Sequence, residues 1–439
     1  MRGNPSKTYM AWGLIILGVA LVAVSTPWLW NRASEQEGMP LEDFPTWVSN
    51  SFNTLSWETE ANEYKLNRML LKQSLQLGQQ FLVNNQNSEG NFNYEYDFVI
   101  RETSEGDSQV RQAGALWGLA LIYKYNQNPA TGKALNKGLN YFFKHTQQGP
   151  VKGSLLIAYP DEKECRTGTV ALVALAIIEY LHTAETGSIQ IDTQHREKLS
   201  HQLKGYLKFL EHLYLGNGRF SESFSLKSRL RGPRSNPYFD GETLLCLIKA
   251  ARYLGYTELI PLIEDSAVLM AKRYTIDAWQ EDVDSPLTKG FYQWGSMAFW
   301  EYQDARWRHG DMLGDCTLLM AWWMINTHHT LARKRNTAYA YEGIIYAYRL
   351  AKTRNLQIVT TALAGTIDTG LYKLTSWQVG GPLEHLNPFL LDHPTDDLLA
   401  VGGIMNHKAE APLRIDVTQH QMHAVVLALK DVYTDSPTH

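Results

Sequence analysis

Twelve stretches of this chain repeat apolar residues at the 3.6-residue spacing of a helix, and they alternate between two kinds. They lie near 62–85, 109–126, 130–147, 167–183, 193–214, 240–254, 258–273, 290–304, 312–328, 337–353, 355–375 and 416–433. The fifth is amphipathic: Leu199, Leu203, Tyr206, Leu207, Leu210, Leu213 and Tyr214 form one stripe, with Lys204, Lys208 and Glu211 off it. The fourth runs from Val170 to Ile178 without a polar residue, and the second and sixth are similarly apolar. A helix that is apolar all round is enclosed on all sides, whereas a striped helix keeps one face in water. Alternation of this kind predicts an all-α fold of six helical hairpins arranged as two concentric rings.

The connections agree. Inner-to-outer links are mostly short, as at Gly255-Tyr-Thr and Thr353-Arg-Asn, and the reverse links are mostly long: 86–108, 148–166, 215–239, 274–289 and 376–415, with only 329–336 brief. Long loops in a compact domain tend to be functional, and these are expected to emerge together where the inner helices begin. The arrangement resembles the (α/α)6 toroid shared by several glycoside hydrolase families, sugar epimerases and some polysaccharide lyases. The resemblance covers about 60–439 and rests on helix count and alternation. It implies a pocket at the N-terminal face of the inner helices and a carbohydrate-active enzyme, but the fold does not fix the reaction. The Asp-x-Asp-Asp motif of toroidal terpenoid cyclases is absent, and so is a cysteine–histidine pair of the lanthionine-cyclase kind.

Reading only the inner-helix starts gives six clusters that would converge on one funnel. A glycosidase needs two carboxyl groups flanking the scissile bond, and Asp240, Glu242, Glu342 and Asp416 are the catalytic candidates. A uronic-acid epimerase or lyase needs a base at C5 and cations for the developing charge. Arg111, Arg166, Tyr238, Lys289, Tyr292, Trp294, Tyr339, Arg414 and His420 are the substrate-binding candidates. The arginines point to an anionic ligand, since a guanidinium grips a carboxylate bidentately. Structural roles compete with each assignment. Asp240 and Glu242 suit a helix cap, Asp416 with Gln419 suits a capping box, and His420 suits a satisfied core histidine. Arg333-Lys334-Arg335 reads as a solvated turn. The four arginines between Arg219 and Arg234 read as a charged rim or as surface ties, and 377–406, with paired glycines at 380–381 and 402–403, as a lid. No histidine or cysteine spacing marks a metal site, and no cofactor is expected.

The domain follows an apolar run at 8–31, long enough to cross a bilayer once. Arg2 and Lys7 precede it, and Glu35, Glu37, Glu42 and Asp43 follow. The positive-inside bias then places residues 1–8 in the cytoplasm, a transmembrane helix at 9–30, a linker at 31–60 and the toroid at 61–439 in the periplasm, as a single-pass inner-membrane protein. A signal peptide cut near Ala23-Val24-Ser25 is the alternative. The net charge of −4 and the lack of a basic cluster argue against nucleic acid. The expected partner is an envelope or exported polysaccharide or oligosaccharide. The rival reading is a non-catalytic scaffold subunit that docks to other proteins of an envelope complex.

Overall fold

The computed structural model describes residues 38–58 and 64–434. The expected cytoplasmic tail and transmembrane helix lie outside the described residues. The helices are α1 (Phe44–Phe52), α2 (Arg68–Asn84), α3 (Gln109–Asn126), α4 (Pro129–Lys144), α5 (Thr167–Glu185), α6 (Thr193–His212), α7 (Pro237–Leu254), α8 (Ile260–Lys272), α9 (Pro286–Asp304), α10 (Gly310–Asn326), α11 (Ala338–Thr353), α12 (Gln357–Thr375) and α13 (Ile415–Asp431). The odd-numbered helices from α3 to α13 pack side by side in that order, and α13 closes the ring against α3. Helices α2 to α12 of even number lie outside them. α5 is apolar enough to pass for a membrane span, yet it is almost wholly enclosed by its neighbours, as a core helix is.

Two inner helices begin earlier than periodicity predicts, and the reason is capping. Asn236 Oδ1 accepts the Tyr238 N–H at 3.0 Å with Pro237 in the first helical position. Ser285 Oγ accepts the Leu287 N–H at 3.2 Å ahead of Pro286. A proline at the first position has no N–H to leave unpaired and is preset for helix. Asp240 and Glu242 therefore sit inside α7 and do not cap it.

The segment read as a linker also differs. Phe44, Trp47 and Val48 of α1 are buried, Trp47 meets Trp279 at 6.2 Å, and the chain beyond α1 accepts a 2.8 Å hydrogen bond at the Ser56 carbonyl from Trp322 Nε1. Three buried aromatic or β-branched side chains within nine residues were the signal that this stretch docks on the toroid.

Three of the long loops are fastened in the same way to the inner helix that follows them. Gln112 Oε1 accepts the Phe92 N–H at 2.7 Å, Asp240 Oδ1 the Phe220 N–H at 2.8 Å, and Thr418 Oγ1 the Ile404 N–H at 3.0 Å. Gln112, Asp240 and Thr418 each lie four residues beyond their N-caps, Ser108, Asn236 and Arg414. Short antiparallel strands then tie neighbouring loops together: Glu95–Asp97 with Pro412–Arg414, and Glu164–Arg166 with Ser223–Ser225.

The loop 376–414 is stapled down as well. Gln378 Nε2 donates to the Ser74 and Gly402 carbonyls, both at 3.0 Å, and the Val379 N–H to Gly403. Gly402 holds φ +91°, and a Cβ there would overlap the Leu77 carbonyl. These glycines serve close approach, so the lid expectation gives way to a fixed wall. Gly402→Ala should cost at least about 1–3 kcal/mol from the backbone conformation alone, read as a lowered urea midpoint with unchanged slope.

At the opposite end of the ring, all six inner helices contribute to a charged layer. Glu179 of α5 pairs with Lys124 of α3 at 2.7 Å and with Lys249 of α7 at 2.5 Å. Lys249 also reaches Glu301 of α9 at 3.3 Å, Arg252 joins Glu301 at 2.5 Å, and Arg349 of α11 meets Asp431 of α13 at 2.6 Å. Burial alone would raise the Glu179 pKa, but the two ammonium groups outweigh it and hold the carboxyl well below its usual range.

Candidate active site

The inner-helix N-termini surround a cavity of about 1030 Å³ to which all six inner helices contribute. Nine of the thirteen candidate side chains line it: Arg111, Tyr238, Glu242, Lys289, Trp294, Tyr339, Arg414, Asp416 and His420. Asp240, Glu342, Arg166 and Tyr292 do not.

Glu242 is the most unusual of them. It is buried, one carboxyl oxygen is fully enclosed, and neither oxygen has a hydrogen-bond partner or counter-charge among the described residues. Burial pushes its pKa well above the ordinary carboxyl range and favours the protonated acid. Gly168 makes room for it, since a Cβ there would collide with Glu242 Oε2 and the Phe239 ring.

Across the ring, three helices away, lies His420. Glu242 and His420 each sit six residues beyond their N-caps, Asn236 and Arg414, and both line the funnel, on opposite sides of the ring. His420 Nδ1 lies 3.1 Å from Glu342 Oε1, and Glu342 is wholly buried, with its other oxygen accepting from Gln293 Nε2 and with His423 Nδ1 at 3.4 Å. Gln293 Nε2 lies 3.1 Å from the same Nδ1. An ionised carboxylate accepts only, so the contact with Glu342 favours the tautomer that carries its proton on Nδ1 and leaves Nε2 for the funnel. Burial alone would lower the His420 pKa. The Glu342 charge, assisted by Asp416 and opposed by Arg414, raises it. Burial acts on Glu342 in the raising sense, and the His420 and His423 imidazoles reverse it, so its pKa is lowered. Glu342 therefore acts through His420.

Trp294 connects the two sides. Its Cβ lies against Gly241, next to Glu242, and its ring centroid is 6.4 Å from that of His420. The funnel floor is thus an indole flanked by a buried acid and a carboxylate-backed imidazole.

Asp416 is bound by arginines. Arg414 grips it bidentately at 3.0 and 2.9 Å, and Arg111 Nε lies at 3.3 Å. Asp240 is a structural residue: besides the Phe220 N–H it accepts the Tyr274 hydroxyl, and burial raises its pKa to about 7. Arg166 pairs with Glu164 at 3.6 Å, and the Tyr292 ring is buried against Gly343. The rim arginines are ties. Arg229 donates to the Gln148 carbonyl at 2.9 Å, Arg231 to His212 at 2.7 Å, and Arg234 to Glu222 at 2.8 Å.

The structure corrects the solvated-turn reading of Arg333-Lys334-Arg335, and it brings in His328, to which the sequence pattern alone gives no role. His328 and Arg333–Arg335 line the funnel. His328 Nδ1 lies 2.6 Å from Asp284 Oδ1, and its Nε2 is 3.4 Å from the Tyr339 hydroxyl. Burial lowers the His328 pKa, as do Arg333 and Lys289 more weakly, against the opposing Asp284 charge. The only signal was position: this loop also leads into an inner helix, and its brevity disguised it.

The chain matches no family model and no curated protein sequence. Solved structures do resemble it. A D-mannose isomerase superposes with a TM-score of 0.56 at 12% identity, covering 82% of this chain and 97% of that one. Cellobiose 2-epimerase from Spirochaeta thermophila gives 0.51 at 14%, covering 83% and 96%. An unsaturated glucuronyl hydrolase specific for heparin gives 0.51 at 10%, covering 82% and 97%. At such identities the likeness establishes the fold, an α/α toroid, over nearly the whole length of each of those proteins.

Proposed function

We propose that this protein is a carbohydrate-active enzyme that binds an acidic glycan in the funnel and cleaves a glycosidic bond by acid–base catalysis. One observation carries the reading: an uncompensated buried carboxyl faces a carboxylate-backed imidazole across an aromatic floor. Paired groups whose surroundings push them toward opposite duties mark acid and base. Glu242 donates its proton to the leaving oxygen as the C–O bond breaks. His420 Nε2 takes a proton from the water whose oxygen bonds to the anomeric carbon. Trp294, only 3% exposed, closes the apolar floor under the sugar ring. Six cations line the funnel (Arg111, Lys289, Arg333, Lys334, Arg335 and Arg414), against the carboxyls of Glu242 and Asp416, which supports an anionic substrate. The proteins of like fold named above are a sugar isomerase, a sugar epimerase and a glucuronyl hydrolase, and they support the carbohydrate class.

The test is incubation of the soluble domain with acidic and neutral envelope polysaccharides. New reducing ends are the expected result. Unsaturated ends would replace hydrolysis with a lyase reaction, and solvent deuterium at C5 with epimerisation. Binding without turnover would instead support the scaffold reading.

Glu342→Gln probes the dyad. Glu342 raises the His420 pKa, and the base must be neutral, so activity rises with pH through that raised value. Removing the carboxylate should shift the acidic limb of kcat/KM to lower pH while kcat falls about 10- to 100-fold. An unmoved limb would deny His420 its role.

We further propose that the apolar run at 8–31 anchors the domain to the outer face of an inner membrane, where it would meet an envelope or exported polymer. Alkaline extraction should leave the protein in the membrane, and protease added to spheroplasts should digest the domain. A protected domain would overturn this placement.

A further inference from the structure

The funnel has a floor. Level with Trp294, each likewise nine residues past its N-cap, the Trp117 ring lies 5.1 Å away and His423 packs on Trp117 at 5.0 Å. Below these, between the same six helices, comes the layer of buried ion pairs built on Glu179 and Lys249. A chain that enters at the mouth has no exit at the bottom. The acid and the base lie at this closed end, level with Gly114 and Leu172, which are also six residues past the N-caps Ser108 and Arg166.

The unmatched positive charge lies nearer the mouth. Lys289 is four residues past its N-cap, and Lys334 and Arg335 precede α11 altogether. Among the described residues Lys289 Nζ meets only the Tyr339 ring at 5.5 Å and the Tyr238 hydroxyl at 3.4 Å, and Lys334 has no ion pair. Arg335 reaches Glu410 only at 3.7 Å, with both side chains in solvent. Arg333, by contrast, is matched by Asp284 at 2.9 Å. A lysine ammonium seated on aromatic rings in a funnel wall, with no carboxylate of its own, is completed by an anion of the ligand.

We propose that the funnel takes its glycan by one chain end, with the terminal sugar on Trp294 between Glu242 and His420 and an anionic group of the next sugar held by Lys289 and Lys334. The inference rests on the glycan reading of this site and adds to it the mode of attack and the position of the charge. An enzyme built this way releases small products from a terminus and leaves the interior of the polymer intact.

The test measures binding, so it does not depend on turnover. Glu242→Gln protein is titrated by calorimetry with tetramers of glucuronic, mannuronic and galacturonic acid, and with cellotetraose as the neutral control. The best-bound tetramer is then offered with a bulky cap on its reducing end, or on its non-reducing end. A cap on one particular end should weaken binding at least tenfold, and a cap on the other should have little effect. Lys289→Met with Lys334→Met should weaken binding of the acidic tetramer at least tenfold, leave neutral binding unchanged and flatten the salt dependence. Equal binding of free and capped forms, or a fall in polymer viscosity before small products appear with the wild-type protein, would overturn end recognition while leaving the glycan reading intact. Failure of every tetramer to bind would remove both.

Discussion

Replacing Glu242 with glutamine is expected to lower kcat by about 10²- to 10⁴-fold and, in the same protein, to raise the melting temperature above neutral pH. Both effects have one origin. The carboxyl is enclosed with no partner to offset its charge, so folding favours the protonated form. Its folded pKa lies above its unfolded value. Such a group contributes stability that is full below the unfolded pKa and is lost as pH rises toward the folded one. Asp240 acts in the same sense between about pH 4 and pH 7. Glutamine matches the carboxyl in shape and cannot ionise, so the gain of Glu242→Gln over wild type should widen as pH increases. Thermal melts of both proteins from pH 5 to 9, beside initial rates, make the comparison. A variant with lost activity and no pH-dependent gain would show that Glu242 is already paired when folded. A variant that keeps full activity would remove it from the chemistry.

The largest loss of stability should come from the far end of the ring. Lys249 is only 7% exposed and stands between Glu179 and Glu301. Lys249→Met takes away the shared cation and leaves Glu179 with Lys124 alone and Glu301 with Arg252 alone. Breaking a buried pair from one side costs about 3–5 kcal/mol, to be read from urea denaturation at pH 7. Ion pairing holds the Glu179 pKa down, so its share of stability is present at neutral pH and is lost as pH falls through the folded value. With Lys124 as its one remaining ammonium, that carboxyl protonates at higher pH than in the wild type, and the penalty should shrink on acidification. Adding Glu179→Gln should recover part of it. A penalty below about 1 kcal/mol, typical of exposed pairs, would mean that water reaches this layer.

The architecture was legible because helix burial leaves a periodic trace. All twelve segments are present, and the wholly apolar stretch from Val170 to Ile178 belongs to an inner helix, as its pattern implied. Helix starts were less legible where a cap and a proline, as at Asn236-Pro237, outweigh the apolar period. The site divides along a similar line. Glu242 and His420 were found because they follow inner-helix starts, but which carboxyl faces the funnel depends on rotation about each helix. A two-residue difference separates Asp240, turned outward to hold Phe220, from Glu242, turned inward. Glu342 drew notice as a carboxyl among aromatics, yet its partners His420 and His423 come from a different helix, far along the chain. The buried ionic layer had no local trace at all: Glu179, Lys249 and Glu301 look like ordinary surface charges until six helices bring them together.

Ring closure through α13 orders events during synthesis. Glu242 arrives on the third inner helix and His420 on the sixth, so a partly made chain holds one of the two proposed groups without the other. α13 and its N-cap also supply Asp416, Gln419 and Arg414 to the funnel wall, and α13 packs against α3, some three hundred residues earlier. Until that helix docks, one side of the funnel is open to water and its floor incomplete. A complete funnel then becomes a report on complete folding, and an intermediate stalled before closure would expose apolar helices without a formed pocket.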